Sequence, residues 1–169
     1  IKEVHRMIVN LDILAGWRKD STRNWVLCHG CFDMQHIGHL RHLRAARLMG
    51  DLLVVTITPD HFVNKGSGRP LFPELMRAEV VAALKCVDWV AVNRWPTAVE
   101  AIRLLRPAVF VKGGQYRNEI AGPITAERYA VDSVGGRLEF TDEVVHSSTA
   151  VIDGEKFARS GDAYLEVMS

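Results

Sequence analysis

The stretch Trp25-Val26-Leu27-Cys28-His29-Gly30-Cys31-Phe32-Asp33-Met34-Gln35-His36-Ile37-Gly38-His39 changes its pattern halfway along. Residues 25–29 form a compact apolar run, which reads as a strand. From Gly38 onward Leu40, Leu43, Ala45, Ala46 and Leu48 recur at helical spacing, while Arg41, Arg44 and Arg47 repeat every third residue on another face. Gly50 supplies the C-cap. A strand feeding a helix through a short polar turn is the unit from which α/β sheets are built.

The alternation continues outward. Residues 11–17 read as a short amphipathic helix. Leu52-Leu53-Val54-Val55-Thr56-Ile57-Thr58 is β-branched and almost continuously apolar, as a strand covered on both faces should be. Residues 59–73 are a long loop rich in Gly and Pro, a length that in compact domains marks function. A helix over 74–84, a strand over 87–92 and a helix over 97–105 ended by Pro107 follow. Val109-Phe110-Val111 is a strand closed by the Gly113-Gly114 turn; residues 124–134 are helical, Gly135-Gly136 stops them, and 137–140 are a strand. This order implies one α/β domain: a five-stranded parallel sheet with helices on both faces. Residues 1–24 read as an N-terminal helix and lead-in, 25–153 as the domain, and 154–169 as a tail, or a linker to a further domain of a longer parent chain.

Composition bounds the function. The chain has 169 residues, enough for one core, and is 48% hydrophobic and 24% charged, a soluble globular balance. A net charge of +1 without blocks of like charge argues against a dedicated nucleic-acid partner. No apolar run reaches the length of a membrane span, and neither a membrane anchor nor a secretory leader is expected from these residues. Three cysteines, Cys28, Cys31 and Cys86, do not make a secreted disulfide framework, so a cytoplasmic location is expected. The chain begins at Ile1 without an initiator Met, as a processed or trimmed chain would.

The chemistry concentrates between the first strand and its helix, where open α/β sheets bind ligands. His36 and His39 are three residues apart and share a face of the first helical turn. Gly38 removes a side chain where a phosphate would approach, and the helix start adds backbone N–H groups and a positive dipole end. Two imidazole donors there suit the developing negative charge of phosphoryl transfer. Cys28 and Cys31 spell C-x-x-C, but they precede the helix start where low thiol pKa values arise, which disfavours redox chemistry. Cys28, His29, Cys31, His36, His39 and His42 lie close in sequence, yet the histidines drift around the helix, which disfavours zinc.

Gly30-Cys31-Phe32-Asp33 followed by His36-Ile37-Gly38-His39 resembles the HxGH signature of the cytidylyltransferase-like nucleotidyltransferases, a Rossmann-like family. Lys65-Gly66-Ser67-Gly68-Arg69-Pro70, Arg77, Val87-Asp88-Trp89-Val90, Val111-Lys112-Gly113-Gly114-Gln115-Tyr116 and Ser147-Ser148-Thr149 follow in family order, so the resemblance covers about residues 25 to 153. It is strongest to the adenylyltransferase domain of ADP-heptose synthases and to related domains fused to ribokinase-type sugar kinases.

The resemblance implies roles. His36, His39, Lys65 and Arg77 would act in catalysis. Gly30, Cys31, Phe32, Asp33, Gly38, Lys112, Gly113, Gly114, Ser147, Ser148 and Thr149 would hold the nucleotide, and Lys65, Arg69 and Gln115 the acceptor. Mg²⁺ would accompany the nucleotide phosphates, with Asp33 near them. The implied reaction transfers AMP from ATP to a sugar 1-phosphate of the heptose type and releases pyrophosphate; the implied assembly is a homodimer. A CTP-dependent transfer to a polyol phosphate such as glycerol 3-phosphate is the alternative, and a non-catalytic nucleotide-binding module the alternative outside enzymology. Three positions depart from the family pattern: Gln115 for a common Asp, Gln35 for an apolar residue, and Asp153 near a common Lys or Arg.

Overall fold

A computed structural model describes residues 7–142. Five helices and five strands alternate: α1 (Leu11–Lys19), β1 (Trp25–Gly30), α2 (Ile37–Arg47), β2 (Leu52–Ile57), α3 (Glu74–Ala82), β3 (Trp89–Val92), α4 (Val99–Leu105), β4 (Val109–Gly113), α5 (Pro123–Ser133) and β5 (Arg137–Thr141). The expected five-stranded parallel sheet forms, in the order β3-β2-β1-β4-β5.

The near-continuous apolarity of the strands follows from their place in this sheet. Along β1, Val26 and Cys28 enter one core with Leu43, Ala46, Ala78 and Val81. Trp25 and Leu27 enter the other with Leu11, Leu14, Ile102, Phe110 and Val131. Successive side chains point to opposite faces, so a doubly covered strand must be apolar at every position. Helices α2 and α3 therefore cover one face, and α1, α4 and α5 the other. Truncating a core leucine such as Leu43 to alanine costs about 2–5 kcal/mol.

The lead-in belongs to the same core. Asn10 caps α1 by accepting the Asp12 N–H, and Trp17 and Trp25 flank Trp89 at centroid distances of 5.1 and 5.3 Å. Ile8 forms a parallel bridge with Val90, extending the sheet beyond β3. One assignment of side chains is corrected: Leu48, grouped above with the apolar face of α2, follows the helix end and is 88% exposed.

After β3 the chain returns past β1 to form β4, so the direction of winding reverses between these two strands. Their carboxyl ends leave the crevice in which such sheets bind ligands.

Candidate active site

The β1–α2 turn is built by a strained residue and a double cap. Phe32 has φ of 50°, a left-handed conformation that costs a non-glycine residue about 1–2 kcal/mol. Its ring is buried against His39, 5.4 Å between centroids, so packing holds the strain. Gly30 makes room for it: a Cβ there would sit 3.0 Å from the Phe32 ring. His36 is the N-cap of α2. Its Nδ1 accepts the Gly38 N–H at 3.1 Å, and the His36 N–H in turn donates to His39 Nδ1 at 3.4 Å. This is a capping box made of two histidines instead of Ser and Glu. In a neutral imidazole whose Nδ1 accepts, the proton sits on Nε2. Burial pushes the His39 pKa down to about 3, and His36, Lys65 and His42 lower it further. His39 is therefore a neutral Nε2–H donor at physiological pH. The two rings stack at 4.0 Å beside the amino end of α2.

Beneath the turn, loop 59–73 is tied down by two side chains. Asp33 Oδ1 accepts the N–H groups of Leu71 and Phe72 at 2.7 and 3.3 Å, and Oδ2 lies 2.6 Å from Arg69. Arg77, expected to meet phosphate, is 1% exposed and fully engaged by the protein. Its Nε donates to the Phe72 carbonyl, Nη1 to the Cys31 carbonyl, and Nη2 to the Thr58 carbonyl and Asp60. It ties both ends of the β2–α3 loop to the β1–α2 turn, and its guanidinium is spent on these protein partners. Arg69 is held by Asp33 but keeps a buried Nη2 without a hydrogen-bond acceptor among the described residues.

A cleft of about 240 Å³, lined by both charged and apolar side chains, opens at the carboxyl ends of β1, β2 and β4. It brings together Gly30, Cys31, Lys65 and Lys112, four of the expected site residues. His29 and Tyr116, met above as a disfavoured zinc candidate and as the end of a family motif, line it too, as do Thr58 and Glu127, which sequence reasoning did not single out. Lys112 Nζ lies 3.1 Å from Glu127 and 4.8 Å above the Tyr116 ring. Glu127, 1% exposed, also accepts the Ala98 N–H at 3.1 Å. The His36 and His39 rings do not line this cleft, but Lys65 does, and its charge also reaches His39. Gln115 is exposed with its amide folded over Gly113, where a Cβ would meet it at 2.2 Å. Gly114 brings its backbone against the Thr141 carbonyl; a Cβ there would sit 2.7 Å from it. Ser147, Ser148, Thr149 and Asp153 lie outside the described residues.

The rival chemistries find no support in this geometry. Burial raises the pKa values of Cys28 and Cys31, against thiolate reactivity. Among the described residues, no group of three or more His, Cys, Asp or Glu side chains could hold a metal ion. Asp33 spends both oxygens on Leu71, Phe72 and Arg69, so it does not fit the role of a Mg²⁺ ligand. No helix of the described residues is long and apolar enough to cross a membrane.

The sheet order, the histidine-capped helix and the cleft define a class: a Rossmann-like α/β fold with a histidine-capped helix start at the carboxyl edge of its sheet. A lipopolysaccharide core biosynthesis protein from Thermoplasma volcanium shares the fold, with TM-score 0.59 at 20% identity over 74% of this chain and 99% of that one. Pantoate–β-alanine ligase from Francisella tularensis does so with TM-score 0.62 at 12% identity over 95% and 76%. The cytidylyltransferase-like family model matches residues 27–154, and the chain belongs to that family of nucleotidyltransferases. It is 41% identical to the bifunctional protein HldE of Geobacter sulfurreducens over 86% of this chain and 30% of the relative. The HldE protein of Geotalea uraniireducens is 43% identical over the same shares. The chain thus spans about 30% of the length of these relatives.

Proposed function

We propose that this domain transfers AMP from ATP to the phosphate of a heptose-type sugar 1-phosphate. The observation that carries this reading is the division of the site. The helix start bearing two packed histidines lies outside the cleft lining, while Gly30, Cys31, Lys65 and Lys112 lie within it. The first suits a triphosphate, the second a phosphorylated, hydroxyl-rich acceptor.

In this reading an acceptor phosphate oxygen attacks the α-phosphorus. The bond from α-phosphorus to the bridging oxygen breaks, and pyrophosphate leaves with that electron pair. The attacking phosphate is already ionised, so no side chain need remove a proton. His36 and His39 donate Nε2–H to the oxygens that gain charge, aided by the N-terminal amides of α2. Lys65, which faces the cleft and acts electrostatically on His39, offsets charge where the two phosphorylated ligands meet. Arg69 offers a phosphate oxygen its Nη2, which has no acceptor among the described residues. Arg77 positions the loops that carry these groups. Mg²⁺ would accompany the phosphate oxygens of the triphosphate and offset their charge. The heptose assignment leans on the HldE relatives. The experiment is pyrophosphate release from ATP or CTP with heptose 1-phosphate or glycerol 3-phosphate, and the expected pair is ATP with heptose 1-phosphate.

A further inference from the structure

His29 ends β1 inside the cleft with both ring nitrogens engaged: Nδ1 lies 2.9 Å from Thr56 Oγ1, and Nε2 lies 3.3 Å from Thr58 Oγ1. A neutral imidazole has one donor and one acceptor, so one threonine must accept from the ring and the other must donate to it. Burial and the nearby Lys112 hold His29 neutral, its pKa pushed down to about 3. Thr56 decides the direction. It is 0% exposed, and its hydroxyl donates to the Cys28 carbonyl at 3.4 Å. With the Thr56 proton on that carbonyl, its oxygen accepts from the ring at 2.9 Å, which puts the His29 proton on Nδ1. Nε2 is then an acceptor, and it takes the Thr58 O–H.

Thr58 is anchored at both ends of its peptide: its N–H donates to the Gly30 carbonyl at 2.9 Å, and its carbonyl accepts from Arg77 at 2.8 Å. With its proton committed inward, its oxygen can offer the cleft only lone pairs. We propose that Thr58 is a specificity-determining residue that accepts a hydrogen bond from an acceptor hydroxyl, its polarity set by the chain Cys28 carbonyl–Thr56–His29. An ionised phosphate has no proton to give and is turned away from this end of the cleft, toward Lys65 and Lys112. The inference rests on the reading of the cleft as the acceptor site, and it deepens that reading: the acceptor must present an O–H at Thr58.

The test has two parts. Long-range ¹H–¹⁵N spectra of ¹⁵N-histidine-labelled protein without substrate, with His29 identified by the signal lost in His29→Asn, should show the Nδ1–H tautomer. An Nε2–H tautomer would reverse the chain, make Thr58 a donor and overturn the proposal. In steady-state kinetics with ATP and heptose 1-phosphate, Thr58→Val should raise KM for the sugar phosphate about tenfold, the value of one hydrogen bond. KM for ATP should stay within about twofold, and Thr58→Ser should restore the sugar-phosphate KM. An unchanged sugar-phosphate KM in Thr58→Val would overturn the assignment. A wild-type protein inactive on heptose 1-phosphate would remove the proposed reaction, while the ligand-free spectrum still decides the direction of the hydrogen bonds.

Discussion

His39 Nδ1 receives the backbone N–H of His36 at 3.4 Å, so one contact caps a helix and fixes which ring nitrogen carries the proton. Structure and chemistry are thereby separable within one side chain. His39→Ala should remove both, with turnover falling about a hundred- to a thousand-fold on loss of one transition-state donor. His39→Asn keeps an acceptor for the His36 N–H but has no group at Nε2. It should be as inactive as the alanine variant, yet more stable by about 1 kcal/mol, the value of a cap. Thermal melts beside turnover numbers check this; near wild-type turnover in either variant removes His39 from the chemistry.

Arg77→Ala should be among the most damaging single changes. It strands the carbonyls of Cys31, Thr58 and Phe72 and leaves Asp60 without its partner. Asp60, 41% exposed, can turn to water, so the cost lies in the stranded carbonyls, about 1–3 kcal/mol for each buried one. Urea unfolding of the purified variant measures it, and a loss under 1 kcal/mol would show that the two connections hold without the guanidinium.

The fold was legible because periodicity and breakers agree: each of the five strands and five helices stands where apolar spacing, Gly and Pro set it, with ends shifted by a few residues. The strand order and the division of the site were not legible, because both depend on which strands meet. The HxGH turn could be read from spacing alone. The inward turn of Arg77 and Asp33 could not, since a charged residue on a helix or loop looks the same in sequence whether it faces phosphate or a neighbouring carbonyl. Glu127 and Thr58 were missed for the converse reason: they reach the cleft from separate elements, brought together only by the sheet.

The Lys112–Glu127 pair separates stability from acceptor binding. Lys112→Met should destabilise by about 3–5 kcal/mol, because Glu127 is left buried and unpaired. Adding Glu127→Gln should recover most of that loss. The sugar-phosphate KM should stay raised by at least tenfold in the double variant, since the cation facing the acceptor is gone. Recovery of KM together with stability would place Lys112 outside the acceptor site.

Acid should destabilise the domain through its histidines. His29, His39 and His42 have pKa values depressed from 6.5 to about 3, 3 and 4, chiefly by burial. Above pH 6.5 both folded and unfolded states carry them neutral, and they place no pH dependence on stability. As pH falls through 6.5 toward 4 the unfolded chain takes up their protons first, so stability is lost in that window. Each contributes a slope of about 1.4 kcal/mol per pH unit at its limit. Denaturant unfolding at pH 7.5, 6 and 5 should show this loss, and His42→Asn should lower the slope. Stability flat across this window would mean that the native rings titrate normally.

The central claim is nucleotidyl transfer between the histidine-capped helix start and the cleft, and the most direct measurement is coupled detection of pyrophosphate and of the nucleotide sugar, with ATP or CTP against heptose 1-phosphate or glycerol 3-phosphate. The account predicts stoichiometric pyrophosphate and ADP-heptose from ATP and heptose 1-phosphate, with His39→Ala as the inactive control. Turnover confined to CTP and glycerol 3-phosphate would contradict the acceptor assignment, and nucleotide binding with no pyrophosphate from any pair would contradict transfer itself.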